Sequence, residues 1–263
     1  MKKLLIFITT LTLSVSALAQ ETTKPTKKSK KEEKKERINA MARAEEEGVI
    51  AYKKHFVFGM KLTTDGYGMF FEKGYAKSIK QANLFQLEFS ERKHRKEEKQ
   101  SNPYAPTAPI IYGKLNYFYQ LKLGMQRQFL LGNKSNKNGV SITGNVGGGL
   151  TLAFLRAYEV EVDKNGDRTY VRYDSPDSLL FVNGPFYGGP TFGIGWNHMK
   201  VIPGLYLKPA LRFDYGRYND LVSAIEVGLN AEFYAKKIPQ MLYNKQEQFY
   251  FGAYFALVFG KRK

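Results

Sequence analysis

The sequence FYFGAYFALVF, residues 249 to 259, decides the fold class of this chain. Its odd positions carry Phe, Phe, Ala, Phe, Leu and Phe, whereas its even positions carry Tyr, Gly, Tyr, Ala and Val. A strand places alternate side chains on opposite faces, so one face is large and apolar and the other is small or hydroxylated. Such a strand fits the wall of a closed barrel whose outer face meets lipid. We expect the outward side chains, which meet lipid or a partner subunit, to be Phe249, Phe251, Phe255, Leu257 and Phe259.

The same alternation recurs upstream of this segment. It runs through 55–74, 85–90, 115–126, 140–154, 192–197, 205–214 and 225–234. Several of these runs reach about 10 residues, the length that a tilted barrel strand needs to cross a bilayer. Their polar faces are rich in Gly, Gln, Asn, Ser and Thr and carry few of the Lys and Glu residues of a water-exposed sheet, which favours a polar lumen over a soluble β-sandwich or a lipocalin-like barrel. We therefore predict an all-β fold, a closed antiparallel transmembrane β-barrel over residues 52–263.

The number of strands depends on the dipeptide Asp65-Gly66. A bacterial single-chain barrel closes with an even number of strands. If 55–74 is one strand with a bulge near Gly66, the count is eight, and we predict eight. If Asp65-Gly66 is a turn, the count is nine, and it becomes ten when 168–173 also crosses the membrane.

Asp65-Gly66 is by itself a strong signal for a two-residue hairpin turn. A turn there would pair Leu62 with Met69, with a large apolar residue at both positions. A second hairpin is predicted around Asn165-Gly166, and it would either add a membrane strand or project beyond the membrane. The hairpin around Asn165-Gly166 would set Val160 opposite Val171, and the hairpin at Asp65-Gly66 would set Met60 opposite Phe71. Further turn signals occur at 132–139, Pro203-Gly204 and 218–220.

The first 19 residues have the pattern of a cleaved signal peptide. A basic start at 1–3 precedes an apolar run at 4–13, and small residues at 17 and 19 place the predicted cleavage before Gln20. The apolar run is shorter than the ~20 residues that a spanning helix needs.

A Lys- and Glu-rich arm is predicted to follow the signal peptide at 20–51. Because it carries few apolar side chains, we expect it to be flexible and periplasmic. Within it, 37–47 has the composition of a short helix, closed by Gly48.

Composition narrows the classes of function. The net charge is +17 and the chain contains no cysteine, so disulfides and thiolate metal sites are excluded. Export disfavours nucleic acid as the partner of the positive charge, which leaves the phosphates of lipopolysaccharide, other anionic envelope polymers or an acidic protein. We expect no nucleic acid partner and no cofactor.

The best cluster of polar residues lies on two strands near the C-terminus. A short connecting loop would set Arg212 opposite Glu226, with Lys208, Asp214 and Glu232 on the same face. This lumen polar network could be a solute-selective constriction, or an ion-pair network that fills a narrow lumen. The second interpretation is favoured because eight-stranded barrels have interiors filled by side chains.

Catalysis and metal binding have little support in the sequence. The chain has three histidines, His55, His94 and His198, and none has a catalytic motif around it or lies close in sequence to another. A hydrolytic site would need a nucleophile, a base and an orienting carboxylate within reach. We predict a protein that is not an enzyme, with neither a catalytic nor a metal site.

The chain resembles the porin-family small outer-membrane β-barrels of Gram-negative bacteria, of the uncharacterised type. The resemblance covers about 52–260 and rests on the signal peptide, the alternating strands and the terminal GAYFALVF. Segments such as KLTTDGYG at 61–68, KLNYFYQLKLG at 114–124 and PGLYLKP at 203–209 are also similar. Gly252-x-x-Phe255-x-Leu257 resembles the signal that barrel-assembly machinery reads on its clients, although Gly260-Lys-Arg-Lys follows here instead of a final aromatic residue.

The resemblance implies location in the cell outer membrane, contact with outer-membrane lipid and lipopolysaccharide, and insertion by the barrel-assembly machinery. It does not fix function, because one fold hosts many functions. Our first hypothesis is a non-enzymatic envelope structural protein or an accessory subunit of a larger outer-membrane assembly or secretion complex, with other outer-membrane or periplasmic subunits as partners. The alternative is a narrow porin-like channel for small polar solutes, and a lesser alternative is a lipid-modifying or proteolytic enzyme.

Overall fold

Eight antiparallel strands close into a barrel in the computed structural model of the chain, which describes residues 52–101, 107–134, 139–216 and 220–263. The chain divides into two units, Met1–Ala40 and Met41–Lys263, and all described residues lie in the second. The predicted signal peptide at 1–19 and the predicted arm at 20–51 with its helix at 37–47 lie outside the described residues.

The barrel is built from the long strands, and the short strands belong to the loops. The described residues form these strands: β1 (Lys54–Thr63), β2 (Gly66–Ser78), β3 (Gln81–Arg92), β4 (Lys99–Gln100), β5 (Ile110–Ile111), β6 (Asn116–Gly132), β7 (Ser141–Ala157), β8 (Val160–Lys164), β9 (Asp167–Val171), β10 (Phe186–Gly188), β11 (Lys200–Asp214), β12 (Leu221–Ile238) and β13 (Glu247–Arg262). Around the ring, neighbouring strands are β1-β13-β12-β11-β7-β6-β3-β2, and β2 pairs with β1 to close it. A helix, α1 (Ser178–Asn183), and a 3-10 turn at Trp196–His198 lie between β9 and β11.

The predicted fold class and strand count are confirmed, but two of the segments counted as strands were assigned wrongly. Segment 55–74 is a hairpin and not one bulged strand, with Thr63 paired to Gly66 across a two-residue turn. The turn lies one residue earlier than Asp65-Gly66, so Met60 pairs with Met69 and not with Phe71. The shift moves each partner by two positions, and the outward face is therefore preserved.

The count returns to eight because 192–197, predicted as a strand, is not one. Gly195 has a left-handed φ of 88° and leads into the 3-10 turn. The short alternation of large residues and glycine there lies in a largely exposed loop and not in a strand.

The turn predicted at Pro203-Gly204 is also wrong, since both residues lie inside β11. Pro203 pairs with Leu152 of β7, whereas the register with β12 begins only at Gly204. A proline lacks an amide hydrogen, and Pro203 is tolerated because it pairs with β7 and lies outside the register with β12.

The outer wall of the barrel is apolar on all eight strands. Each contributes at least one large apolar side chain that is more than two-fifths exposed, such as Phe56, Met69, Phe85, Leu123, Leu150, Leu205, Phe233 and Phe251. This belt far exceeds the few hundred Å² of contiguous apolar surface that water-soluble monomers expose. No helix among the described residues is long and apolar enough to cross a membrane.

The two ends of the barrel differ. The end that we call the terminal end carries the start of β1, the end of β13 and the connections at 79–80, 133–140 and 215–220. The end that we call the loop end carries the turn at 64–65 and the connections at 93–115, 158–199 and 239–246.

The long connections at the loop end pack on each other and form a second small hydrophobic core, which we call the cap. The predicted hairpin around Asn165-Gly166 is confirmed here as β8–β9, with Val160 opposite Val171, and it pairs with β10 instead of entering the barrel. Both turn residues have positive φ, 60° and 91°, as a tight hairpin turn requires. The buried core of the cap is formed by Ile111, Tyr158, Val160, Val162, Val171, Phe181 and Met241.

Candidate functional site in the barrel lumen

The lumen contains a balanced set of buried charges. Four acidic and four basic side chains project inward from six of the eight strands, and none is more than 3% exposed. Because a buried charge is very unfavourable unless it is paired, the geometry among them determines whether the barrel is stable. The set consists of Lys61, Glu72, Glu88, Lys122, Lys208, Arg212, Glu226 and Glu232.

Arg212 joins two carboxylates from different strands. Its two terminal nitrogens donate to the two oxygens of Glu72 at 2.8 and 2.9 Å, and its Nε donates to Glu226 at 2.8 Å. Arg212 and Glu226 are direct cross-strand partners, which is the register expected from the sequence. The planar guanidinium suits such a fork, since it offers donors in fixed directions.

Lysines extend the network toward the loop end. Lys208 lies 3.2 Å from Glu226 and 3.8 Å from Glu88. Glu88 also accepts from Lys61 at 2.8 Å and from Lys122 at 3.1 Å. Lys122 in turn donates to Glu232 at 2.7 Å. The eight charges are therefore linked without interruption from Glu72 to Glu232.

Neutral side chains fill the space around these charges. The hydroxyl of Tyr254 donates to Glu226 at 2.7 Å, and the amide of Gln120 donates to Glu232 at 2.7 Å. The ammonium of Lys61 lies 4.2 Å from the ring centre of Tyr254, within cation–π distance. A narrow barrel of eight strands has room for side chains and little else.

Inward aromatic rings fit because glycines face them. A Cβ at Gly124 would lie 2.2 Å from the hydroxyl of Tyr206, and a Cβ at Gly59 would lie 2.3 Å from the ring of Phe70. The triple glycine at 147–149 belongs to the same close packing, since a Cβ at Gly149 would collide with the backbone of β6.

At the terminal end, the lumen is closed by a separate group of charged side chains around Asp214. Asp214 accepts a hydrogen bond from Arg262 and lies 3.7 Å from Lys134, so it is not joined to the network around Arg212. A cavity of about 50 Å³ lies beside it, and Tyr52 and His55 are among its lining residues. Burial raises the pKa of Tyr52 to about 12.

At the loop end, the lumen is closed by the side chain of Arg92. Its guanidinium lies 3.3 Å from Asp65 in the β1–β2 turn and 3.5 Å from Glu232. Burial raises the pKa of Asp65 above its usual value, against the opposing effect of Arg92.

The structure thus brings together four of the five lumen residues singled out in the sequence, Lys208, Arg212, Glu226 and Glu232, and leaves Asp214 at the terminal end. Sequence reasoning missed the other half of the network. Three of the missed residues are single charges between large apolar neighbours in an alternating run, as in Met-Lys-Leu, Leu-Glu-Phe and Leu-Lys-Leu, and that signal could have identified them. Glu72 lacks this signal, because it follows Phe71 but precedes Lys73. The missed residues are Lys61, Glu72, Glu88 and Lys122.

The C-terminal strand lies beside β1, with Leu62 opposite Phe255. Phe249, Phe251, Phe255 and Phe259 are 42–57% exposed on the outer wall, and Leu257 is half-buried between neighbours on the same face.

The three histidines do not come together. His55 lies at the terminal end, 3.1 Å from Glu72, whereas His198 lies in the loop region, 3.0 Å from Glu159. His94 is in the charged loop after β3. Within the described ranges, no group of three or more His, Asp or Glu side chains could hold a metal ion.

The cap is tied to the barrel by stacked aromatic and cationic groups. Arg156 lies over the rings of Tyr117 at 4.2 Å and Trp196 at 5.2 Å, and Trp196 stacks on Tyr119. Lys114 donates to Glu97 at 2.6 Å, and burial lowers the pKa of Lys114. The most exposed large apolar side chains of the cap are Phe192 at 87%, Leu179 at 75% and Tyr243 at 64%.

No family model matches the chain, and no curated protein matches it. Among solved structures, the chain is similar to Neisserial surface protein A, with a TM-score of 0.39 and 8% identity over 80% of this chain and 96% of that one. It is also similar to Ail, the attachment invasion locus protein of Yersinia pestis, with a TM-score of 0.38 and 9% identity over 81% and 100%. The N-terminal β-barrel domain of Pseudomonas aeruginosa OprF gives a TM-score of 0.34 and 10% identity over 80% and 99%. Since the TM-scores are below 0.5, nothing about the function of this chain follows from these likenesses.

Proposed function

We propose that this chain is a non-enzymatic outer-membrane β-barrel that acts through its surfaces, as an envelope structural protein or as an accessory subunit of a larger outer-membrane assembly or secretion complex. The observation that carries the proposal is the distribution of polarity, which is inverted relative to a water-soluble protein. The apolar belt is on the outside of the barrel, and the eight linked charges are on the inside.

Location in the outer membrane is supported by the belt and by the closed ring. In the hydrocarbon region every backbone polar group has to be paired within the protein, and a closed antiparallel barrel meets that requirement without an edge. The barrel strands are 10 to 18 residues long, enough to cross with the usual tilt. Partners consistent with this location are outer-membrane lipid, lipopolysaccharide and the barrel-assembly machinery during insertion.

The filled lumen argues against a solute channel. A path for a polar solute would need space along the axis, yet the charged side chains that meet there are 0–3% exposed and paired with each other. Planar-bilayer recordings of the purified protein are therefore expected to show no discrete conductance. A discrete conductance that changes in the Arg212→Ala variant would establish the channel instead.

The cap is the part of the molecule best suited to hold a protein partner. It has its own buried core, so its shape is fixed, and it presents exposed Phe192 and Leu179. Large apolar side chains on a rigid support are typical of interaction surfaces.

The proposal is tested by affinity isolation after gentle detergent extraction. A reproducible partner in fixed proportion is expected with the natural sequence, and it should be lost in a Leu179→Ser, Phe192→Ser double variant that still shows heat-modifiable gel mobility. Leu131→Ser, at an exposed apolar residue of the terminal end, is the matched control and should keep the partner. A solitary monomer in every preparation would contradict the proposal.

A further inference from the structure

One sector of the outer wall has a regular layout of residues. Cross-strand partners on β1, β2, β3 and β6 form rows, and successive rows on one face are about 7 Å apart along the strands. The row nearest the terminal end reads Lys54, Tyr75, Asn83 and Arg127. The next row, which also includes β13, reads Lys261, Phe56, Lys73, Phe85 and Met125.

These two rows concentrate positive charge. Lys54, Lys73, Arg127 and Lys261 are all exposed, and within the described part of the chain none of them forms an ion pair with a carboxylate. Lys54 and Lys73 lie diagonally on adjacent strands, about 7–8 Å apart. Both ammonium groups approach the ring of Tyr75, at 5.8 and 5.7 Å from its centre.

The rows that follow toward the loop end are apolar. A depression of about 460 Å³ begins at Lys73 and continues between Phe56, Phe71, Phe85 and Met125. A second depression on the same wall, of about 580 Å³, is lined by the next rows, including Met60, Met69, Phe89 and Phe255. The wall therefore combines a cluster of cations at one level with apolar depressions directly beneath it.

We infer that this sector binds an anionic glycerophospholipid of the leaflet at the terminal end. The phosphodiester would lie against Lys54, Lys73 and Arg127, with Tyr75 and Asn83 as hydrogen-bonding groups, and an acyl chain would occupy the depression between Phe71 and Phe85. Charge complementarity selects the headgroup, because a lipid with a net negative charge neutralises the cluster whereas a zwitterionic one does so only in part. This inference rests on the membrane location proposed above.

A second copy of the chain fits this sector less well than a lipid. Two copies related by a twofold axis along the barrel would bring their cationic rows together. The repulsion between rows that carry no carboxylate would oppose such a contact.

The inference is tested with the protein in nanodiscs of equal parts phosphatidylethanolamine and phosphatidylglycerol, released and weighed by native mass spectrometry. Retained phosphatidylglycerol is expected to exceed phosphatidylethanolamine. The variant Lys54→Gln, Lys73→Gln, Arg127→Gln should lose about a hundredfold in affinity for phosphatidylglycerol, since each basic residue near an anionic surface contributes about fivefold.

Two control variants give the experiment its specificity. The variant Lys54→Arg, Lys73→Arg, Arg127→Lys keeps the charge and should keep the lipid. If the charge-removal variant does not fold, this variant still tests whether charge at these positions retains the lipid. Lys236→Gln, Lys237→Gln, Lys245→Gln removes the same charge from exposed positions at the loop end and should also keep the lipid.

The possible failures separate the two proposals. Equal retention of both lipids, equal loss in the loop-end control, or a lipid-free dimer through this wall overturns the lipid site while the membrane barrel stands. Failure of the natural protein to enter nanodiscs at all would overturn the membrane location itself.

Discussion

At the residue scale, Glu88 holds together the part of the lumen that contains the most ammonium groups. Lys61, Lys122 and Lys208 lie 2.8, 3.1 and 3.8 Å from its carboxylate. Lys122 and Lys208 have a second carboxylate nearby, in Glu232 and Glu226, whereas Glu88 is the carboxylate of Lys61 in the described network. Loss of the Glu88 charge therefore leaves a buried ammonium without compensation.

We expect Glu88→Gln to lower the free energy of unfolding by about 3–5 kcal/mol, because removing one member of a buried ion pair leaves the other charge unpaired. Urea unfolding in phospholipid vesicles, followed by the far-ultraviolet circular dichroism of the barrel strands, measures the change. Glu98→Gln, at an exposed loop position, should change stability by no more than about 0.5 kcal/mol. The double variant Lys61→Met, Glu88→Gln should recover most of the loss. Equal destabilisation by Glu88→Gln and Glu98→Gln would refute this account.

The second residue-scale prediction concerns the fit between glycine and aromatic rings in the lumen. Gly59→Ala should destabilise the barrel by about 1–3 kcal/mol, since the new Cβ would meet the fully buried ring of Phe70 at 2.3 Å. Gly193→Ala is the matched control, because nothing lies within 4 Å of its Cβ position. Unfolding midpoints of the two variants give the comparison, and a neutral Gly59→Ala would show that the ring can move aside.

At the element scale, how much of the fold was predictable depends on whether the signal is local. Alternation along a single strand identified β6, β7, β12 and β13 and their outward faces, because period two is a property of the chain itself. The two-residue shift at the β1–β2 turn could not be read in the same way, since both registers keep the apolar residues outside. Pro203 was misread because its tolerance depends on where the register with β12 begins, and that is a property of the assembled sheet.

The same reasoning explains what was found and missed in the lumen. Arg212 and Glu226 were found because they lie on consecutive strands, where a short loop limits the registers. Glu72 meets Arg212 and Glu88 meets Lys208, on a strand far away in sequence, and the closing of the ring brings them together. Single charges inside apolar alternation predict which residues point inward, but the pairing among them follows from the circumference and stagger of the barrel.

The cap is an element with a core of its own, and its stability should be separable from that of the barrel. Phe181→Ala removes a ring that is 3% exposed in that core, and a loss of about 3–5 kcal/mol is expected within the cap. Limited proteolysis should then cut within 158–199 while heat-modifiable mobility of the barrel persists. Phe192→Ala, at a ring that is 87% exposed, is the same substitution without burial and should leave the digestion pattern unchanged. Joint loss of cap and barrel in Phe181→Ala would show that the two fold as one cooperative unit.

At the scale of the whole molecule, charge is distributed unevenly between the ends. The described surface of the terminal end carries Lys53, Lys54, Lys77, Lys80 and Lys263 against the single exposed carboxylate of Asp220. At the loop end acids and bases alternate, and several are paired, as in Lys164–Asp177 and Lys200–Asp174. The excess of positive charge therefore belongs to the end where the chain enters and leaves the barrel.

The orientation of the proposed membrane barrel can be measured with single cysteines, because the chain contains none. Barrels of this kind keep short turns in the periplasm and long loops outside the cell. A membrane-impermeant maleimide should therefore label Asp167→Cys, an exposed position in the cap, on intact cells. It should label Lys80→Cys, in the turn between β2 and β3, only after the outer membrane is permeabilised. The reverse labelling would place the cap in the periplasm, and the anionic lipid inferred for the terminal end would then have to come from the outer leaflet.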